Sequence, residues 1–412
     1  MASLPPKSKS LNVGGPKGDI MSMSNSSIVP SSLLTSSQNL TSSTPKSGLV
    51  PELKKKKSSG LSKSQISLES LEALQFQTPQ VGCFKDDHYQ VELTMNPQQK
   101  LNPFYEDMAW SVALNSEGTL LLVGGKSGKI TGYKVSNGVV HKEPQLVFEK
   151  HSGEVLSIIF LSETLACSSS SNKEIFIWQT TKNTMNNYKK ITVDDNCLVL
   201  KKGKDNSVVL GLLNGVLEIW DYVALTKIRS YEIKASITAV EIGHKEKQDG
   251  YYYVGTMDGT LIVLFDYDGS LKLVTSLTSK EQAMICHIIA HPVEPLIYVT
   301  YSSNKLMVYS TDVSIGILAV ATYKGFYTNG YAVHPTLHPN GKTLFIGSAT
   351  HGIYVFPFIQ FPISKKTEII GFKNNLFIAE KTPVVHVVFL NANNALFIDA
   401  KGNAAVFSVE IN

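Results

Sequence analysis

Leu213-Asn214-Gly215-Val216-Leu217-Glu218-Ile219-Trp220-Asp221 is a polar turn that runs into an apolar strand ending in Trp-Asp. Val216 and Trp220 share one strand face and Ile219 takes the other, so apolar residues lie on both sides of the strand, as they do where it is covered twice. The same turn between apolar runs recurs as Lys126-Ser127-Gly128-Lys129-Ile130, Ser171-Asn172-Lys173-Glu174-Ile175 and Met257-Asp258-Gly259-Thr260-Leu261. It continues as Ser303-Asn304-Lys305-Leu306, Thr350-His351-Gly352-Ile353 and Lys401-Gly402-Asn403-Ala404. With Gly128, Asn172, Gly215, Gly259, Asn304, Gly352 and Gly402 as markers, successive spacings are 44, 43, 44, 45, 48 and 50 residues. Seven units of this period, each with room for four short strands, specify an all-β, seven-bladed β-propeller.

Residues flanking the turns carry a resemblance. Leu114-Asn115-Ser116-Glu117-Gly118 leads into Leu121-Leu122-Val123-Gly124-Gly125, and His338-Pro339-Asn340-Gly341-Lys342 into Leu344-Phe345-Ile346-Gly347-Ser348. The Trp-Asp position reads Trp220-Asp221 in full, Trp178-Gln179 and Phe265-Asp266 in part, and Tyr309-Ser310 loosely. Over residues 89–412 the chain resembles the WD40-repeat family, whose members join a Ser-Pro-Asp-Gly-like turn, an apolar strand, a polar turn and a strand ending Trp-Asp. The resemblance implies a propeller that binds other proteins. Members often lock each blade with a bonded His, Ser/Thr, Asp and Trp. Here only Lys150-His151 is similar to the usual Gly-His, and no Asp follows in that blade's polar turn. Apolar packing between blades is expected to carry the stability instead.

The seventh unit supplies strands near Val384–Phe389, Ala395–Asp399 and Ala404–Val409, and lacks an outer fourth. The alternating segment Tyr89–Met95 is expected to provide it, closing the ring and removing an open edge. Ahead of it, residues 1–63 are rich in Ser, Thr, Pro, Gly and Lys, a composition expected to be disordered. They hold nine lysines against Asp19 and Glu52, so the formal net charge of +4 conceals a basic tail and a nearly neutral remainder. Lys54-Lys55-Lys56-Lys57 is the candidate targeting run, readable as a nuclear import or anionic-surface signal. Residues 64–88 form a linker with one short docking helix, since Leu68, Leu71 and Leu74 recur at helical spacing after Ser67, a candidate N-cap.

Composition narrows the chemistry. No apolar run reaches the roughly 18 residues of a membrane span, and the opening residues lack the apolar centre of a secretory signal. A soluble protein of the cytoplasm or nucleus is expected. Cys83, Cys167, Cys197 and Cys286 stand far apart, as buried thiols rather than disulfides or zinc ligands. Arg229 is the only arginine against 37 lysines, so bidentate phosphate or carboxylate clamps have almost nothing to work with. Gly124-Gly125-Lys126-Ser127 fails as a phosphate loop because Leu120 stands where that motif needs glycine. His334 and His338 are four apart without a carboxylate or thiol at ligand spacing, so no metal and no cofactor is expected.

The expected function is non-catalytic: a scaffold or adaptor holding partner proteins on the loop face, where outer-to-inner connections emerge beside the polar turns. Phe104-Tyr105, and Phe326-Tyr327 with Tyr331, are the candidate aromatic anchors there, with Lys126, Asp258, Lys305 and His351 as a polar rim. Two alternatives stand beside it. One is a nuclear nucleic-acid- or chromatin-associated subunit anchored by the basic tail. The other is a lactonase-like propeller enzyme, whose mark would be an axial cluster of His, Asp or Glu.

Overall fold

The computed structural model describes residues 80–86, 89–101, 104–181, 188–243, 248–312, 316–350, 352–358, 367–375 and 382–411. The tail, the expected docking helix, Lys54–Lys57 and His351 lie outside them. The described chain begins with β1 (Gln80–Asp86) and β2 (Tyr89–Leu101). Blade 1 is β3 (Ala109–Leu114), β4 (Leu120–Gly125), β5 (Ile130–Ser136) and β6 (Val139–Phe148). Blade 2 is β7 (Val155–Ser162), β8 (Leu165–Ser170), β9 (Glu174–Gln179) and β10 (Tyr188–Thr192). Blade 3 follows with β11 (Cys197–Lys202), β12 (Ser207–Leu212), β13 (Val216–Asp221) and β14 (Thr226–Glu232). Blade 4 contains β15 (Ile237–Ile242), β16 (Tyr251–Thr256), β17 (Thr260–Tyr267) and β18 (Ser270–Thr278).

The next three blades vary the plan. Blade 5 runs β19 (Ile285–Ala290), β20 (Leu296–Tyr301), β21 (Lys305–Ser310) and β22 (Leu318–Lys324). Blade 6 has β23 (Thr336–Leu337), β24 (Thr343–Gly347) and β25 (Gly352–Pro357), after which β26 (Thr367–Ile370) crosses to pair in parallel with β22 of blade 5. The chain then returns as β27 (Phe372–Asn375) to complete blade 6. Blade 7 orders as β1-β2-β30-β29-β28, from β28 (Val384–Asn391), β29 (Asn394–Asp399) and β30 (Ala404–Ile411). The seven-bladed propeller read from the repeat period is thus the fold, and the described residues contain no helix.

Closure is by the N-terminal strand, shifted along from its expected place. β2 pairs with β30 from Leu93↔Ile411 to Leu101↔Ala404, so only the end of Tyr89–Met95 takes part. The whole of Tyr89–Met95 pairs on its other side with β1, which the sequence reading had left in a linker. Pro97 interrupts the alternation and hides the strand's continuation. Pairing with β1 ends at Met95, before the proline, and the register with β30 shifts between Pro97 and Gln99, a bulge of the kind that accommodates proline within a sheet.

The middle strands are covered on both faces; all six residues of β4, β20 and β25 are buried. Burial is gathered into seven apolar clusters, one at each blade junction, such as Leu122, Phe148, Ile158 and Trp178 between blades 1 and 2. Phe345, Val355, Met95 and Phe407 do the same between blades 6 and 7, so apolar packing between blades does hold this ring. Among the described residues the polar lock is present once, and incomplete. Ser168 Oγ lies 2.7 Å from His151 Nε2 and accepts from the Trp178 indole at 3.1 Å. His151 Nδ1, buried, has no bond, as the missing Asp requires.

Two sequence assignments shift. In blade 2 the left-handed turn position is Lys173 (φ 62) rather than its neighbour Asn172, matching Gly128 and Asn304. Trp220, on a strand expected to be covered on both faces, is itself only half-buried, its indole donating to Glu218 Oε2 at 2.8 Å. The fully buried tryptophan is Trp178.

Candidate binding face at the channel mouth

The seven innermost segments wall an axial channel of about 540 Å³. Six of them break register at the same place, one residue into the strand: Trp110, Leu156, Leu198, Thr238, Cys286 and Val385 are the extra residues. Each bulge re-aims the residue after it, and four of those residues, Ser111, Ser157, His287 and His386, join nearby side chains in stitching adjacent blades together. Ser111 Oγ accepts from Ile158 N at 2.8 Å and Ser157 Oγ from Leu200 N at 3.1 Å. Lys201 Nζ pairs with Glu241 at 2.8 Å, and Thr238 Oγ1 donates to the Ile285 carbonyl at 2.6 Å. His287 meets the edge of His334 (5.0 Å between ring centroids), which stacks on His386 at 4.7 Å. Thr336 Oγ1 donates to the Val387 carbonyl, and His386 donates to that of Ala109. A belt of side-chain links therefore circles the channel through all seven junctions.

The belt histidines are neutral. Burial pushes His386 down to about 4 and His287 to about 3, with Lys201 adding to the effect. Burial, then the neighbouring His386, holds His334 well below the ordinary imidazole value. An axial histidine cluster is thus present, the mark set for the lactonase-like class. Its rings pack on each other, His386 donates to a backbone carbonyl, and Glu241 is paired with Lys201, while His287 Nδ1 is buried without a hydrogen-bond partner. Among the described residues no group of three or more His, Cys, Asp or Glu is placed to hold a metal ion. The sequence reading paired His334 with His338, which the fold separates: His338 Nδ1 accepts from Asn340 N in the turn before β24.

On the loop face the channel opens into a second cavity of about 240 Å³. Met108, Met257, Met284, Trp110, Leu198 and Tyr331 line it. Met108 and Met284 each precede an inner strand, and Met257 opens the polar turn after β16, so three blades deliver flexible thioethers to one concavity. Such side chains repack around varied apolar surfaces.

The expected anchors divide. Tyr331 lines the mouth, and Tyr327 is 47% exposed beside it on the same connection. Phe326 is 1% exposed and packs edge-on against Phe356 in the core between blades 5 and 6. Phe104 and Tyr105 are also buried: the Tyr133 hydroxyl donates to the Phe104 carbonyl at 2.5 Å, and Tyr105 donates to that of Lys129 at 2.6 Å. These three rings cover the propeller itself, because the inter-blade seam beneath each loop is open to a ring that folds back. Of the expected rim, Lys126 and Asp258 are exposed, Asp258 also bracing its turn by accepting from Thr256 Oγ1 at 2.5 Å. Lys305 is paired with Glu281.

The methionines escaped the sequence reading, which searched the loops for aromatics. Their common position beside the repeat was the available signal. No family model matches the chain, and no curated protein matches it either.

Proposed function

We propose that this protein is a non-catalytic interaction scaffold of the WD40 type, holding a partner protein at the channel mouth. The observation that carries the reading is the apolar, methionine-lined concavity on the loop face, with Tyr327 exposed at its side and Lys126 and Asp258 as polar rim. An apolar centre inside a polar rim is the usual anatomy of a protein-binding patch. The partner's anchor would enter between Met257, Met284 and Tyr331. Affinity purification with the full chain tests this, comparing wild type with Met257→Lys/Met284→Lys. Loss of the principal partner with an unchanged thermal melt is expected; full recovery by the variant would overturn the reading.

A catalytic reading draws on the axial histidines alone. It is weaker because His386 has its Nε2 proton committed to a carbonyl and Glu241 is paired. Lactone turnover by wild type that is lost in His287→Gln would restore it.

A further inference from the structure

The outer strands of blades 3, 4 and 5 share an irregularity: Ile228, Val274 and Val320 each stand as the extra residue in a bulge against the neighbouring strand. In blade 5 the residues just past the bulge, Ala321–Lys324, pair in parallel with β26, register Ala321↔Thr367 to Lys324↔Ile370. Ile369, opposite Tyr323, is thereby buried in the core between blades 5 and 6, and Val320 packs against that core. The fold thus shows what covers such an edge: an extended strand, parallel, with one apolar residue turned inward.

Aligned on the bulge, the matching stretch of blade 4 is Thr275-Ser276-Leu277-Thr278; β17 pairs with its inner side, and no described strand pairs with its outer side. The other open edges of blades 1–4 carry devices that discourage pairing. β6 has Pro144 directly after the charged pair Lys142-Glu143 and two register breaks, and β10 is five residues long with Lys189 and Lys190. β14 bears Lys227, Arg229 and Glu232, with Arg229 held by Asp266. β18 has nine residues and one charge, Lys272, drawn over the Tyr267 ring at 4.2 Å. Leu273 and Val274, adjacent on it, are 53% and 48% exposed.

We propose that the outer edge of blade 4 receives an extended strand of a partner protein, in parallel along Thr275–Thr278, as blade 5 receives β26. Main-chain hydrogen bonds would supply affinity, and an apolar residue facing Leu277, as Ile369 faces Tyr323, would supply specificity. A twofold axis through the edge would make two copies pair antiparallel, so the parallel precedent selects a partner strand over a second copy. This site lies on the rim of the disc and is independent of the channel mouth.

The test uses the full chain and a fluorescent peptide with the sequence of residues 366–372, Lys-Thr-Glu-Ile-Ile-Gly-Phe. Saturable binding is expected, weakened about tenfold or more by Val274→Lys/Ser276→Lys, both exposed positions. A scrambled peptide is expected not to bind. The thermal melt checks that the variant folds, and Thr278→Lys, also exposed, serves as the second variant. Non-saturable binding, or equal binding by the variants or of the scrambled peptide, overturns the proposal. Concentration-dependent dimerisation abolished by the same lysines would assign the edge to a second copy and overturn it equally.

Discussion

His386, in the inner strand of the last blade, donates from Nε2 to the carbonyl of Ala109, in the inner strand of the first, at 3.2 Å. The two residues are 277 apart in sequence, and the bond joins the ends of the ring on its axial side while β2 and β30 join them at the rim. His386→Phe keeps a ring to stack on His334 and leaves the Ala109 carbonyl without this donor. A loss of about 1–3 kcal/mol is expected, read as a lower midpoint in chemical denaturation with little change in slope.

Stability is expected to fall with acid between about pH 6.5 and 4. His151 and His386 are both pushed down to about 4 by burial in the folded protein, against 6.5 unfolded. Over that window the unfolded chain binds protons that the folded one refuses, so the folded state is most favoured above 6.5 and loses ground as pH drops. Each buried ring contributes on the order of 3 kcal/mol across the whole range. Denaturation midpoints at several pH values measure it, and His151→Asn should flatten the profile.

Trp178 and Trp220 should separate cleanly. Trp178 stacks on Phe148 at 4.4 Å, donates to Ser168 and is fully buried. Trp178→Ala is expected to cost about 3–5 kcal/mol. Trp220 is half-buried and covered in part by the Lys227 ammonium, so Trp220→Ala should cost roughly half as much. Equal losses in urea unfolding would show that the blade 3 seam is tighter than described.

Removing residues 1–96 takes away β1 together with Leu93 and Met95, which sit in the core between blades 6 and 7. It also bares β30 along part of its length. Aggregation or a broad, early melt is expected, while removing residues 1–63 should leave the melt unchanged. Light scattering and calorimetry on the two truncations, side by side, decide the matter.

The propeller was legible because every blade must rebuild the same hairpin, so turn chemistry returns with the period whatever the side chains between. Where one blade solves the turn differently, the marker slips: Lys173 holds a left-handed backbone that glycine holds in blades 1 and 3. The strap β26 was illegible because it leaves its own repeat to pair with the blade before it. The binding face was read only in part. Residue type put Phe326 and Tyr327 in one connection, yet their opposite fates are settled by Phe356, thirty residues on, which offers Phe326 a partner in the seam. The axial histidines were individually visible, but their convergence needs the ring to close.

Closure by β2 also sets an order of events in the cell. Gln98 of β2 bonds Ser408 of β30 across 310 residues. At 5–20 residues per second, ribosomes need on the order of 15 to 60 s to cover that span. During that interval six blades are being made while the β1–β2 hairpin has one side unmatched. Anything that shields a nascent strand has its longest engagement with this hairpin, and a pause late in translation would prolong its exposure.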